Sequence, residues 1–203
     1  MNAAAMQKPA SDTSFLQRHS AVAYFCLTFA LSWAGALSVA LPRVVRGVAI
    51  SKTTGALMFP AMLVGPSVSG ILLTQALHGK DGLKELLSRM RHVRVPARWY
   101  PTLLIPPLLI LGVLWFLRIF EGRAFAPNRF YIGAAFGVVA GFFEEIGWMG
   151  FAFPQLRRGR SAIVSAVLLG ALWALWHLPV INYLARRRRM ANTGCDTFWP
   201  SPP

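Results

Sequence analysis

Five long apolar runs constrain this chain more than any other feature, at residues 20–41, 55–77, 100–120, 131–153 and 161–184. A hydrocarbon core about 30 Å thick is crossed by about 20 apolar residues of helix. In lipid only helices and closed barrels satisfy their own backbone groups. The predicted fold is therefore all-α, a polytopic transmembrane helix bundle of about five spans. Only 14% of residues are charged, where a soluble domain carries roughly a quarter. The first run follows a polar lead and is about twice the length of a signal-peptide core, so it reads as a retained anchor. The expected organisation is a polar, disordered lead over 1–19, a helical domain over 20–184, and a basic, disordered tail over 185–203.

The formal net charge of +14 raises the question of nucleic acid, and the placement of the charges answers it. Almost all Lys and Arg lie between the apolar runs, as positive-inside retention and contact with anionic headgroups require. No aromatic-basic interleaving accompanies them, so no nucleic acid partner is expected; the lipid bilayer is the partner. With the N-terminus inside, Lys8, Arg18, the cluster over 78–99 and Arg157, Arg158 and Arg160 share the cytoplasmic side. Setting aside the tail run Arg186–Arg189, that side is the more basic. The reading is a plasma-membrane protein, of bacterial type, with a cytoplasmic N-terminus. Cys26 and Cys195 form neither a disulfide framework nor a metal-binding spacing.

Between the second and third runs, Leu83, Leu86, Leu87 and Met90 recur at helical spacing with charges on the opposite face. This stretch predicts a short amphipathic helix lying at the interface. Trp99 and Tyr100 mark the headgroup level where the third run begins.

Ionisable groups at membrane depth are costly and are functional candidates by default. Glu144 and Glu145 lie deep in the fourth run and His177 deep in the fifth. The only plausible reversal between these runs is Arg157-Arg158-Gly159-Arg160-Ser161, which is equidistant from Glu144 and His177. A helical hairpin turning there brings both to one depth. Gly133, Gly137 and Gly141 repeat every four residues, with Glu145 next on that face. Ala162, Ala166, Gly170 and Ala174 do the same, with His177 three residues on. Small residues at this spacing let helix backbones approach closely in lipid, so these two ridges are expected to pack together.

Such a set can activate water. A carboxylate in a low-dielectric site can serve as general base near neutral pH. Adjacent carboxylates repel, which favours one proton shared by the pair or a bound cation. An imidazole can ligate a metal or stabilise an oxyanion. The same three residues could also be a hydrogen-bonded cluster that fixes helix packing.

Two motifs resemble the CPBP family of intramembrane endopeptidases, which includes CAAX prenyl proteases and bacteriocin-processing, Abi-like relatives. The first is Glu144-Glu145-Ile146-Gly147-Trp148-Met149-Gly150-Phe151-Ala152-Phe153-Pro154-Gln155-Leu156. It resembles a Glu-Glu-x-x-x-Arg-Gly-x-x-x-Pro-x-Leu pattern. The second is Trp173-Ala174-Leu175-Trp176-His177-Leu178-Pro179, similar to Phe-x-x-x-His within Trp-His-x-Pro. The likeness covers roughly residues 20–182. It implies that Glu144 activates the attacking water, that Glu145 supports it, and that His177 shares the site. It leaves room for zinc or another divalent metal on Glu144 and His177. There is no His-Glu-x-x-His, so a zincin-type site is absent.

Three departures stand out. Met149 occupies the Arg position, so Glu145 loses a counter-charge at i,i+4 spacing. Trp173 occupies the Phe position, the milder change. The family's later His-x-x-x-Asn motif is missing, which suggests a C-terminally truncated copy. The resulting expectation is an intramembrane endopeptidase, a hydrolase acting on a protein or peptide substrate through Glu144, Glu145 and His177. The alternative is a catalytically inactive membrane protein that binds partners and keeps the Glu-Glu-His cluster for packing. A transporter would need inverted repeats, and none is visible.

Overall fold

In the computed structural model, residues 11–91, 94–128 and 130–182 are described. All regular structure among them is helical. Helix α1 spans Ser11–Arg18, α2 Ser20–Val45, α3 Lys52–Met90, α4 Ile105–Phe120, α5 Phe130–Gly147, α6 Phe153–Leu156 and α7 Ala162–Trp176. Four helical stretches are long and apolar enough to cross a membrane: Ser20–Val45, Thr53–Met90, Ala97–Phe120 and Phe130–Leu156. The chain is an integral membrane protein of the polytopic helical class.

The lead was expected to be disordered, yet Ser11–Arg18 is helical. The basic tail and Cys195 lie outside the described residues. The fifth span also differs from expectation, because α7 ends at Trp176. At about 1.5 Å per residue its 15 residues fall short of a full crossing. The break has a local cause. Pro179 carries no N–H to continue the ladder and disfavours helical geometry in the residue before it. The His177 N–H bonds Ala174 O at 3.2 Å, one residue tighter than an α-helical bond, before a helical turn resumes over 178–182.

Helix α3 is broken at Gly79, whose φ of 62° and ψ of −158° lie outside the helical region. Glycine reaches that geometry without a Cβ penalty, and the break separates the membrane span from the amphipathic stretch. Leu86 on that stretch is buried while Leu87 is exposed. Its δ-carbon fills the space where a side chain on Gly150 would stand.

Helices α2 and α3 are joined by side-chain hydrogen bonds to α3 carbonyls around Pro66. Pro66 has no N–H, so the Met62 carbonyl has no i+4 donor; Ser32 Oγ donates to it at 2.8 Å. Tyr24 OH donates to Pro66 O at 3.4 Å. Ser67 Oγ donates to Phe143 O, joining α3 to α5 one residue before the carboxylate pair. Trp33 Nε1 donates to Trp176 O at 3.1 Å and ties the end of α7 to α2. Around these bonds Tyr24, Phe25, Trp148, Phe151 and Trp176 form the aromatic core.

The expected packing of the two small-residue ridges does not occur. A side chain added at Gly133, Gly137, Gly141 or Gly170 would meet nothing within 4 Å. The close approaches lie elsewhere. At Gly147 an added Cβ would stand 2.1 Å from Pro66 O and 2.3 Å from Tyr24 OH. At Gly70 it would stand 3.0 Å from the Gly147 Cα. Backbone contact was purchased at α3 against α5, not at α5 against α7.

Candidate active site at the Glu144–Glu145 pair

The carboxylate pair sits at the last turn of α5, where the helix changes pitch. Trp148–Ala152 forms a π turn, and the Phe153 N–H bonds Trp148 O five residues back. Such turns recur at functional sites because they alter the register of the residues that follow. Here the π turn spans Met149 and Gly150 and lets Trp148, Phe151 and Ala152 all be buried.

The two carboxylates differ in environment. Glu144 is 6% exposed and its Oε2 accepts a hydrogen bond from Trp173 Nε1 at 2.9 Å. Glu145 is exposed and lines two hollows. One, about 390 Å³, is also lined by Leu86, Arg89, Phe142, Met149 and Gly150. The other, about 340 Å³, is also lined by Trp148, Met149, Phe153, Leu169 and Trp173. Met149 borders both and is 51% exposed, so the position expected to carry a counter-charge faces open space. A larger hollow of about 740 Å³ lies between α4 and α5, lined by apolar residues such as Pro106, Ile110, Phe130 and Gly137; no carboxylate lines it.

His177 is half-buried at the break after α7. Its Nδ1 lies 2.9 Å from Trp173 O, and its ring stands edge-on to Trp173 and Trp176 at 4.4 and 4.6 Å between centroids. The reversal that carries α7 back toward α5 falls at Arg157–Ser161, with Gly159 at φ 73°. Ser161 caps α7 through the Val164 N–H at 3.3 Å. Glu144 and His177 thus flank a single residue, Trp173. Glu145 faces the two hollows instead.

Two contributors were not legible in the sequence. Tyr24, from the first span, presses its hydroxyl on Gly147 behind the pair; nothing in its local pattern marks it. Trp173 was visible as a substitution for Phe, but its indole N–H was the part that mattered.

The donor set is a poor match to a metal. A catalytic zinc takes three protein ligands. Among the described residues no group of three or more His, Cys, Asp or Glu converges. Glu144 and His177 supply two candidate donors, and no third joins them among the described residues.

The four long apolar helices define a polytopic membrane protein, and within it a buried carboxylate and an imidazole are both tied to one tryptophan. Residues 126–196, which hold Glu144, Glu145, Trp173 and His177, match the family model described as type II CAAX prenyl endopeptidase Rce1-like. A protein described as CAAX prenyl protease 2 from Methanococcus maripaludis is 28% identical over 138 residues. That alignment covers 62% of this chain and 50% of the relative. The chain thus spans about half the length of the curated relative it matches. The resemblance read from the two motifs is borne out by both comparisons.

Proposed function

We propose that the chain is an intramembrane endopeptidase of the CAAX prenyl protease type, hydrolysing a peptide bond with water activated by Glu144. The observation that carries this reading is the burial of Glu144 at membrane depth, tied through Trp173 to His177 and adjacent in sequence to Glu145, which lines two hollows. A buried carboxylate is expensive unless it is used or fully satisfied. Glu144 takes a proton from water as the oxygen attacks the scissile carbonyl carbon. That proton passes to the departing amine nitrogen as the C–N bond breaks. Glu145 supports the adjacent carboxylate and faces the substrate, and His177 completes the polar site. The substrate enters from the cytoplasmic side or the bilayer, in a plasma membrane with the N-terminus inside.

A second reading draws on one observation: the Trp173 indole already satisfies Glu144, as a packing cluster requires. In that reading the protein is catalytically inactive and binds partners. Cleavage of an internally quenched C-a-a-X peptide carrying a farnesylated cysteine separates the two. The full chain in liposomes is expected to cleave it, and Glu144→Ala to lower the rate by at least about 100-fold, as loss of a general base does. Equal rates for both proteins, or no cleavage above empty liposomes, would favour the binding reading.

A further inference from the structure

The Trp that stands at the Phe position of the second motif touches both proposed catalytic groups, through different atoms. Its indole N–H donates to Glu144 Oε2 at 2.9 Å. Its main-chain carbonyl lies 2.9 Å from His177 Nδ1. A carbonyl oxygen only accepts, so Nδ1 is the protonated nitrogen. In the neutral ring this leaves Nε2 as an acceptor.

The carbonyl is available for a reason already described. In an uninterrupted helix Trp173 O would receive the His177 N–H, but that N–H turns to Ala174 O at 3.2 Å. The ring nitrogen of the same residue takes the released acceptor. The edge-on contact between the two rings, 4.4 Å between centroids, restrains the imidazole further.

Phe at this position would preserve the ring and the carbonyl but could donate nothing to Glu144. We propose that Trp173 is a positioning residue for the reaction assigned above. Its indole fixes Oε2 of Glu144 so that Oε1 is the oxygen presented to water, and its carbonyl fixes the tautomer of His177. This rests on the proteolytic reading for its catalytic consequence and on geometry alone for the contact.

Two measurements separate those parts. In the full chain labelled with 15N-tryptophan in detergent micelles, the Trp173 indole signal is assigned by its loss in Trp173→Phe. It is expected to move upfield in Glu144→Ala, because removing the acceptor leaves the indole N–H without its hydrogen bond. A signal that does not move overturns the contact. In liposomes with the farnesylated peptide, Trp173→Phe is expected to lower kcat about 10-fold with KM unchanged, the loss of one hydrogen bond to the general base. A rise in KM with kcat unchanged would make Trp173 a substrate-lining residue and overturn the positioning role. If wild type and Glu144→Ala cleave equally, the proteolytic reading fails and takes the catalytic consequence with it, while the indole shift still decides the contact.

Discussion

Residues 131–139 of α5 are exposed without interruption, whereas Ala140, Glu144, Ile146 and Gly147 further along the same helix are buried. Both halves carry small residues at close-packing intervals, and the first half carries the more regular series. The difference lies in what stands opposite. Near Gly147, α3 offers the Pro66 carbonyl and Ser67, and α2 offers the Tyr24 hydroxyl. Gly133 and Gly137 border the apolar hollow toward α4, and the contact between them is apolar, the Phe136 ring against Phe59 of α3 at 5.3 Å between centroids. In lipid, helices gain no hydrophobic drive from one another, so close packing and interhelical hydrogen bonds decide which faces meet. A glycine ridge permits an approach; a polar partner makes it happen.

That contrast can be broken by substitution. Gly147→Ala places a methyl against main-chain atoms that cannot swing aside, and should lower stability by about 1–3 kcal/mol, the usual range for overpacking. Unfolding of the detergent-solubilised protein by SDS, followed by tryptophan fluorescence, reads this directly. Unchanged stability would show that α3 and α5 are not in backbone contact. Ser67→Ala removes the hydroxyl that joins α3 to Phe143 O and should cost about 0.6 kcal/mol, the average for such bonds between membrane helices. The same titration measures it, and a result near zero would move the weight of the interface onto Gly147 and Tyr24. Gly137→Ala meets nothing and gains helix propensity of up to about 1 kcal/mol. It should therefore be neutral or stabilising, and destabilisation would mean that the open half of α5 has a partner after all.

The sequence made the site's chemistry more legible than its packing. The carboxylate pair, the reversal at 157–161 and the break ahead of the amphipathic helix all follow from local rules: buried charge, turn residues, and glycine between two patterns. The choice of packed face does not, because Tyr24 in α2 and Gly147 at the end of α5 are separated in sequence by α3 and α4 and no local periodicity encodes that meeting. The length of the fifth span was misjudged because apolar composition runs on through His177, while Pro179 interrupts the hydrogen-bond ladder. The reading of Trp173 as a mild change compared ring shapes and overlooked the one atom that Phe lacks.

The π turn at Trp148–Ala152 has a consequence for how this region can vary. Each residue in an α-helix advances the chain by about 100°, and a π turn accommodates roughly one residue more than an α turn. Deleting one residue there would restore regular pitch but rotate everything beyond it. Gln155, held by Ser20 Oγ at 2.8 Å, and Leu156, whose carbonyl accepts from Ser165 Oγ at 3.2 Å, would then point away from their partners. The segment after Glu145 is therefore more tolerant of altered side chains than of altered length: it behaves as a spacer whose residue count sets the aim of the return helix.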